Sequence, residues 1–63
     1  MPNSTNSILV IDDEPQTRRF VAAGLELQGF TVEQADSGLV GLNTAARIHP
    51  DVIILDLGLA NVG

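Results

Sequence analysis

The chain is predicted to form an α/β domain in which short parallel strands alternate with helices. Three observations support this prediction. Two runs of four apolar residues, residues 8–11 and 52–55, are each followed directly by aspartate. The segments at 15–28 and 38–49 carry apolar residues at roughly helical spacing, and residues 30–35 alternate between the two faces of a strand. Short apolar runs bounded by polar residues are typical of strands that helices cover on both faces.

Length and charge restrict the class of protein. A chain of 63 residues forms at most one small domain, which buries only about 60% of the surface that its unfolded form exposes. It has no cysteine for a disulfide, so a metal ion, a partner or self-association is expected to supply stability. The net charge of −5, with 3 Arg and no Lys, argues against binding of nucleic acid or of anionic membranes. It favours cations and basic partners.

The first segment, residues 1–7, is polar and uncharged and is predicted to be a flexible leader before a single domain at 8–63. It lacks the basic and apolar regions of a signal peptide. No apolar run approaches the ~20 residues of a membrane span. We therefore expect a cytoplasmic protein.

The first strand is predicted at residues 8–11, and the first helix begins near Pro15, which suits the first helical turn because it lacks an N–H group. Gly29 is expected to end that helix. Phe20 and Phe30 are the only aromatic residues, and we assign both to the core.

The second strand, residues 30–35, alternates in polarity, which suits a half-exposed strand near a sheet edge. Asp36 or Ser37 then caps a second helix that ends at His49. We interpret His49 as a cap that complements the helix dipole rather than as a metal ligand. The third strand is predicted at residues 51–57.

The resulting order is β-α-β-α-β. Because crossovers between parallel strands are right-handed, the first strand should be central, with strand order 2-1-3 in a doubly wound, flavodoxin-like sheet. Asp12, Asp13 and Asp56 then lie side by side at the carboxyl ends of neighbouring strands. Carboxylates this close repel one another unless one is protonated or a hard cation lies between them, and Mg²⁺ prefers oxygen ligands. The sequence therefore predicts a Mg²⁺ site.

The segments at 8–15 (Ile-Leu-Val-Ile-Asp-Asp-Glu-Pro) and 53–59 (Ile-Ile-Leu-Asp-Leu-Gly-Leu) resemble the CheY-like receiver domain of two-component response regulators. Residues 16–20 and 50–59 are most similar to one group of transcriptional regulators within that family. The resemblance implies that Asp56 is the phosphoacceptor in a phosphorelay. It also implies that Asp12, Asp13 and the backbone carbonyl of Gly58 hold Mg²⁺, and that a sensor histidine kinase is the partner.

The chain also departs from the family pattern. Ala60 stands where such receivers usually have proline, and the lysine that grips the phosphoryl oxygens in the family has no counterpart in a chain without lysine. We therefore expect the N-terminal half of a receiver, truncated and unable to accept phosphate efficiently by itself. Its third strand would have an open edge, which predicts a homo-oligomer or pairing with a complementing half-domain.

Other interpretations remain open. The acidic residues Asp12 and Asp13 can stabilise the start of a helix through its dipole, and Asp56 can be a solvated loop residue. Arg18 and Arg19 are expected on a solvated helix face, or alternatively at the kinase interface that the family resemblance implies. We expect a signalling module rather than an enzyme. A Mg²⁺-dependent phosphohydrolase is a less favoured alternative, and a structural, self-assembling module is another.

Overall fold

The computed structural model describes residues 6–56 and contains three strands and two helices in that range. The elements alternate along the chain, as the sequence predicts. Their bounds are β1 Ser7–Asp12, α1 Pro15–Leu27, β2 Thr31–Ala35, α2 Gly38–Ile48 and β3 Val52–Asp56.

The strands form one parallel sheet in the order β2-β1-β3. The register pairs Ile8 with both Val32 and Val52, and it ends with Asp12 opposite Asp56. The predicted fold, a β-α-β-α-β unit with strand order 2-1-3, is confirmed. The central position of β1 brings the end of β3 next to the end of β1.

The core is built on β1. Its apolar residues from Ile8 to Ile11 are all buried, and Leu9 is 0% exposed. Leu9 and Ile11 pack with Ala35 of β2 and with Ala45 of α2 on one face of the sheet. Both helices pack on β1 and β2, whereas the main packing partner of β3 is β1. The most buried strand is therefore the one that ends at Asp12.

Local side-chain bonds fix the helix boundaries. The Glu14 carboxylate accepts bonds from the backbone N–H groups of Gln16 and Thr17 at the start of α1, which satisfies donors that a helix leaves free at its first turn. The Ser37 hydroxyl accepts from Val40 N–H at the start of α2. Of the two residues predicted to cap α2, Asp36 and Ser37, the N-cap is therefore Ser37.

A residue with positive φ lies just beyond the end of each helix. Gly29 lies two residues after α1 with φ +97°, and His49 caps α2 with φ 50°. The His49 backbone N–H also donates to the carbonyl of Ala45, at 2.9 Å. His49 thus lies at the carboxyl-terminal end of α2, where its positive form would complement the dipole.

Several predictions differ from the structure. Phe20, assigned to the core, is 80% exposed, because α1 presents the small Ala22 to the sheet instead. Phe30 is half-buried and precedes β2, which begins one residue later at Thr31. Ser7, expected in the leader, is the first residue of β1 because it pairs with Thr31.

The prediction that β3 is buried on both faces is wrong. Val52, Ile53 and Leu55 are 49%, 49% and 62% exposed. In the described part of the chain, β3 is an edge strand with β1 as its one strand neighbour. The rest of the predicted leader, residues 1–5, and the predicted strand end at Leu57 lie outside the described residues.

Between residues 6 and 56, neither helix has the length and apolar character that crossing a membrane requires.

Candidate functional site

Two aspartates meet at the carboxyl end of the sheet. Asp12 is the last residue of β1, Asp56 is the last residue of β3, and the two are partners in the parallel register. Neighbouring strands lie about 4.8 Å apart, and side chains of paired residues project from the same face of the sheet. The topology therefore places two carboxylate groups next to each other on one sheet edge.

Asp12 and Asp56 differ in their surroundings. Asp12 is 4% exposed, and its Oδ1 accepts a bond of 2.9 Å from the backbone N–H of Glu14. This bond closes the turn between β1 and α1 and orients the Asp12 carboxylate. Asp56 and Asp13 are exposed. Of the three predicted carboxylates, one is therefore fixed by a hydrogen bond and two are exposed to solvent.

Arg18 contributes a positive charge beside this turn. Its Nη1 donates to the backbone carbonyl of Asp12 at 3.1 Å, and its Nε donates to the side-chain oxygen of Gln34 in β2 at 3.2 Å. The sequence predicts a solvated helix face or a kinase interface for Arg18, whereas the structure shows that its side chain also binds the Asp12 carbonyl. Helical side chains point back toward the amino terminus, so a long side chain one turn into α1 covers the preceding turn. That direction is the signal that could have identified Arg18.

The predicted ligands are only partly brought together. Asp12 and Asp56 are adjacent in the register, whereas Asp13 is exposed beyond the end of β1. Within residues 6–56, no three or more His, Cys, Asp or Glu side chains are grouped so that they could hold a metal ion. Gly58, whose carbonyl was the fourth predicted ligand, lies outside the described residues. His49 precedes β3 and therefore lies toward the other end of the sheet.

The chemistry of the donor set suits a hard cation. The groups at this edge are carboxylates, which offer oxygen ligands of the kind that Mg²⁺ binds, often through one or two carboxylates completed by water. Asp12 and Asp56 satisfy that requirement by backbone position, and Asp13 is close in sequence. The donors present therefore fit Mg²⁺ in chemical type.

Comparison with known proteins identifies relatives among bacterial regulators. The chain is 47% identical over 55 residues to the transcriptional regulatory protein KdpE of Mycobacterium tuberculosis, covering 87% of this chain and 24% of that protein. It is 45% identical over 53 residues to the KDP operon transcriptional regulatory protein KdpE of Escherichia coli K12, covering 84% and 24%. It is 42% identical over 52 residues to the regulatory protein AtoC of the same strain, covering 82% and 11%.

These matches confirm the predicted resemblance to KdpE, which is the group of regulators that residues 16–20 and 50–59 indicate. The chain spans about a tenth to a quarter of the length of these curated relatives. No solved structure gives a significant match. The family model described as the response regulator receiver domain matches residues 8–63, which is nearly the whole chain. The chain belongs to the response regulator receiver domain family, whose members are signalling modules of two-component systems.

Proposed function

We propose that this chain is the phosphoacceptor module of a cytoplasmic, KdpE-like transcriptional regulator and that Asp56 accepts the phosphoryl group from a sensor histidine kinase. The observation that carries the proposal is the register pair of Asp12 and Asp56 at the carboxyl ends of β1 and β3. Similarity to KdpE in the segments around both aspartates supports it.

Asp56 would act as the nucleophile, and its exposure leaves the side chain accessible to a phosphodonor. An Asp56 carboxylate oxygen would attack the phosphorus of a phosphohistidine, the P–N bond would break, and the imidazole nitrogen would leave with the bonding electrons. Asp12, Asp13 and the Gly58 carbonyl would hold Mg²⁺, which when bound neutralises charge on the carboxylates and on the phosphoryl oxygens. Asp12, fixed by Glu14, would set the position of this ligand set.

A mass measurement tests the phosphoacceptor assignment. The chain is incubated with Mg²⁺ and an acyl phosphate, and intact mass is recorded beside an Asp56→Asn variant. In parallel, residues 8–56 replace the matching segment of a full KdpE receiver, which supplies the family residues that this chain lacks. We expect one phosphoryl group on the hybrid and a low yield on the chain alone, and neither adduct should form in the Asp56→Asn versions.

Two results would count against the assignment. One is a folded hybrid that acquires no phosphoryl group, and the other is equal labelling of the Asp56→Asn version. Mg²⁺-dependent turnover of a generic phosphate ester by the chain would instead indicate the phosphohydrolase alternative. The residues after Asp56 are Leu57 and Gly58, so the second carboxylate of an Asp-x-Asp sequence is absent.

The exposed apolar residues of β3 support a second proposal, self-association through this strand. The edge strand presents Ile53 and Leu55 on the sheet face that α2 covers only in part, beside a cavity of about 270 Å³ that both residues line together with Leu42. Unpaired strand edges with apolar side chains recruit further chains. The partner would be a second copy or a complementing half-domain.

Sedimentation equilibrium over a range of concentrations tests self-association. A dimer or larger oligomer is expected for the wild-type chain. A folded monomer at every concentration would exclude self-association, and addition of a separate chain that carries the remaining part of a KdpE receiver would then show whether a complementing half-domain binds.

A further inference from the structure

The side chain of Arg18 connects three elements at the candidate site. Its guanidinium donates to the carbonyl of Asp12 in β1 and to the side chain of Gln34 in β2, while its own backbone N–H donates to Glu14 at the start of α1. The side chain is half-buried. We infer that Arg18 is a positioning residue, which holds the Asp12 peptide so that the Asp12 carboxylate remains beside Asp56. This inference rests on the proposed function, because it concerns the same carboxylates.

Two hydrogen bonds constrain Asp12, one to its side chain and one to its main chain. The Glu14 N–H holds the side chain through Oδ1, and Arg18 holds the main chain through the carbonyl oxygen. The bond from the Glu14 N–H uses Oδ1 and leaves Oδ2 as the other acceptor of this carboxylate. If the Arg18 bond is lost, the Asp12 main chain is less constrained, and its carboxylate can shift relative to Asp56.

Charge and positioning predict opposite effects on cation affinity. A guanidinium close to a cation site repels the cation, so removal of its charge should tighten Mg²⁺ binding if Arg18 acts only through electrostatics. Removal of a positioning bond should weaken Mg²⁺ binding instead. Lysine separates the two effects, because it retains the positive charge but lacks the planar guanidinium group through which Arg18 donates to two acceptors.

The test measures Mg²⁺ affinity by calorimetric titration with MgCl₂ for the wild type, Arg18→Met, Arg18→Lys and Arg19→Met. Arg19 is an exposed neighbour that takes no part in the two guanidinium bonds, so Arg19→Met controls for loss of one positive charge. We expect affinity to fall by about tenfold or more in both Arg18 variants, as for loss of a hydrogen bond to a charged group. Arg19→Met should bind at least as tightly as the wild type.

A second measurement needs no metal. Amide hydrogen exchange of Asp13 and Glu14 reports the order of the turn after β1, and the Leu9 amide in the central strand reports global opening. We expect Arg18→Met to accelerate exchange at Asp13 and Glu14 relative to Leu9, and Arg19→Met to leave this ratio unchanged. If circular dichroism shows that Arg18→Met is unfolded, the exposed Gln34→Leu replaces it, with a smaller effect in the same direction expected from loss of one bond.

The outcomes separate the inference from the proposed function. Equal affinities of Arg18→Met and Arg19→Met, or wild-type affinity in Arg18→Lys, would overturn the positioning role. If the wild type binds no Mg²⁺, the proposed metal site is wrong, and the exchange ratio alone decides the role of Arg18. An unchanged ratio in Arg18→Met would then overturn the inference, and selective acceleration would support it.

Discussion

The strands β1 and β3 have almost the same sequence pattern but very different surroundings. Each contains four apolar residues before an aspartate, yet the residues from Ile8 to Ile11 are all buried, whereas Leu55 is 62% exposed. Both helices pack on β1 and β2, and the main neighbour of β3 is β1. The comparison shows that an apolar run predicts strand formation, while the number of neighbouring elements determines how much of the strand is buried.

The largest expected effect comes from a pair of matched truncations. Leu9 and Ile53 are partners in the register, but Leu9 is 0% exposed and Ile53 is 49% exposed. Leu9→Ala should destabilise the fold by about 2–5 kcal/mol, because the cavity it creates lies in the core. Ile53→Ala should cost less than about 1 kcal/mol. Urea denaturation followed by circular dichroism measures both, and equal losses would show that β3 is as buried as β1 in solution.

A smaller effect is expected at the contact between α2 and β1. A methyl group at Gly41 would lie 2.7 Å from Cγ1 of the buried Ile11, so Gly41→Ala should cost about 1–3 kcal/mol by overpacking. Gly24 of α1 has no atom within 4 Å of the same position, and Gly24→Ala should instead stabilise the helix by about 0.5–1 kcal/mol. Thermal melts of the two variants should shift in opposite directions. If both melting temperatures shift in the same direction, α2 does not pack closely on β1 at Gly41.

The effect of Mg²⁺ on stability allows the carboxyl ends of β1 and β3 to be compared. At ten times its dissociation constant, a ligand that binds only the folded state adds about 1.4 kcal/mol of stability. Asp12→Ala, Asp13→Ala and Asp56→Ala should each abolish this gain. Without Mg²⁺, Asp12→Ala should also lower the melting temperature, because the Glu14 N–H loses its acceptor, whereas the exposed Asp56→Ala should not. Melts with and without MgCl₂ measure both effects, and an unchanged wild-type curve would contradict the metal site.

The smallest effect on stability is expected from a charge on the edge strand. Leu55→Lys should change the free energy of unfolding of the monomer by less than about 0.5 kcal/mol, because most of the Leu55 side chain already faces solvent. It should nevertheless prevent self-association, since lysine on an edge strand opposes pairing with another chain. Sedimentation of the variant beside the wild type gives the comparison. An oligomer that persists in Leu55→Lys would locate the interface elsewhere.

The sequence predicts the element order, the strand order and the proximity of two aspartates. These features follow from short-range patterns and from the right-handedness of crossover connections. The apolar runs mark β1 and β3, and right-handed crossovers place β1 between its two neighbours. The pairing of Asp12 with Asp56 then follows from the equal position of each aspartate at its strand end.

Burial was less predictable because it depends on partners that a local pattern does not specify. Phe20 lies on an apolar segment of α1, but Ala22 is the residue that meets the sheet, and the large ring is left 80% exposed. The hydrogen bonds of Arg18 could not be predicted for a related reason. Its two acceptors are the Asp12 carbonyl and the Gln34 side chain, and their distance from Arg18 depends on how α1 lies over the sheet.

The in-register pairing of Asp12 with Asp56 also has a kinetic consequence. Within residues 6–56 these aspartates belong to the first and the last strand, so the long segment between β1 and β3 must fold back before the two residues meet. Formation of such long-range contacts is slow relative to formation of local helices. Any ligand that bridges the pair would therefore bind only after β3 has docked on β1, and its rate of capture during refolding would report that docking step.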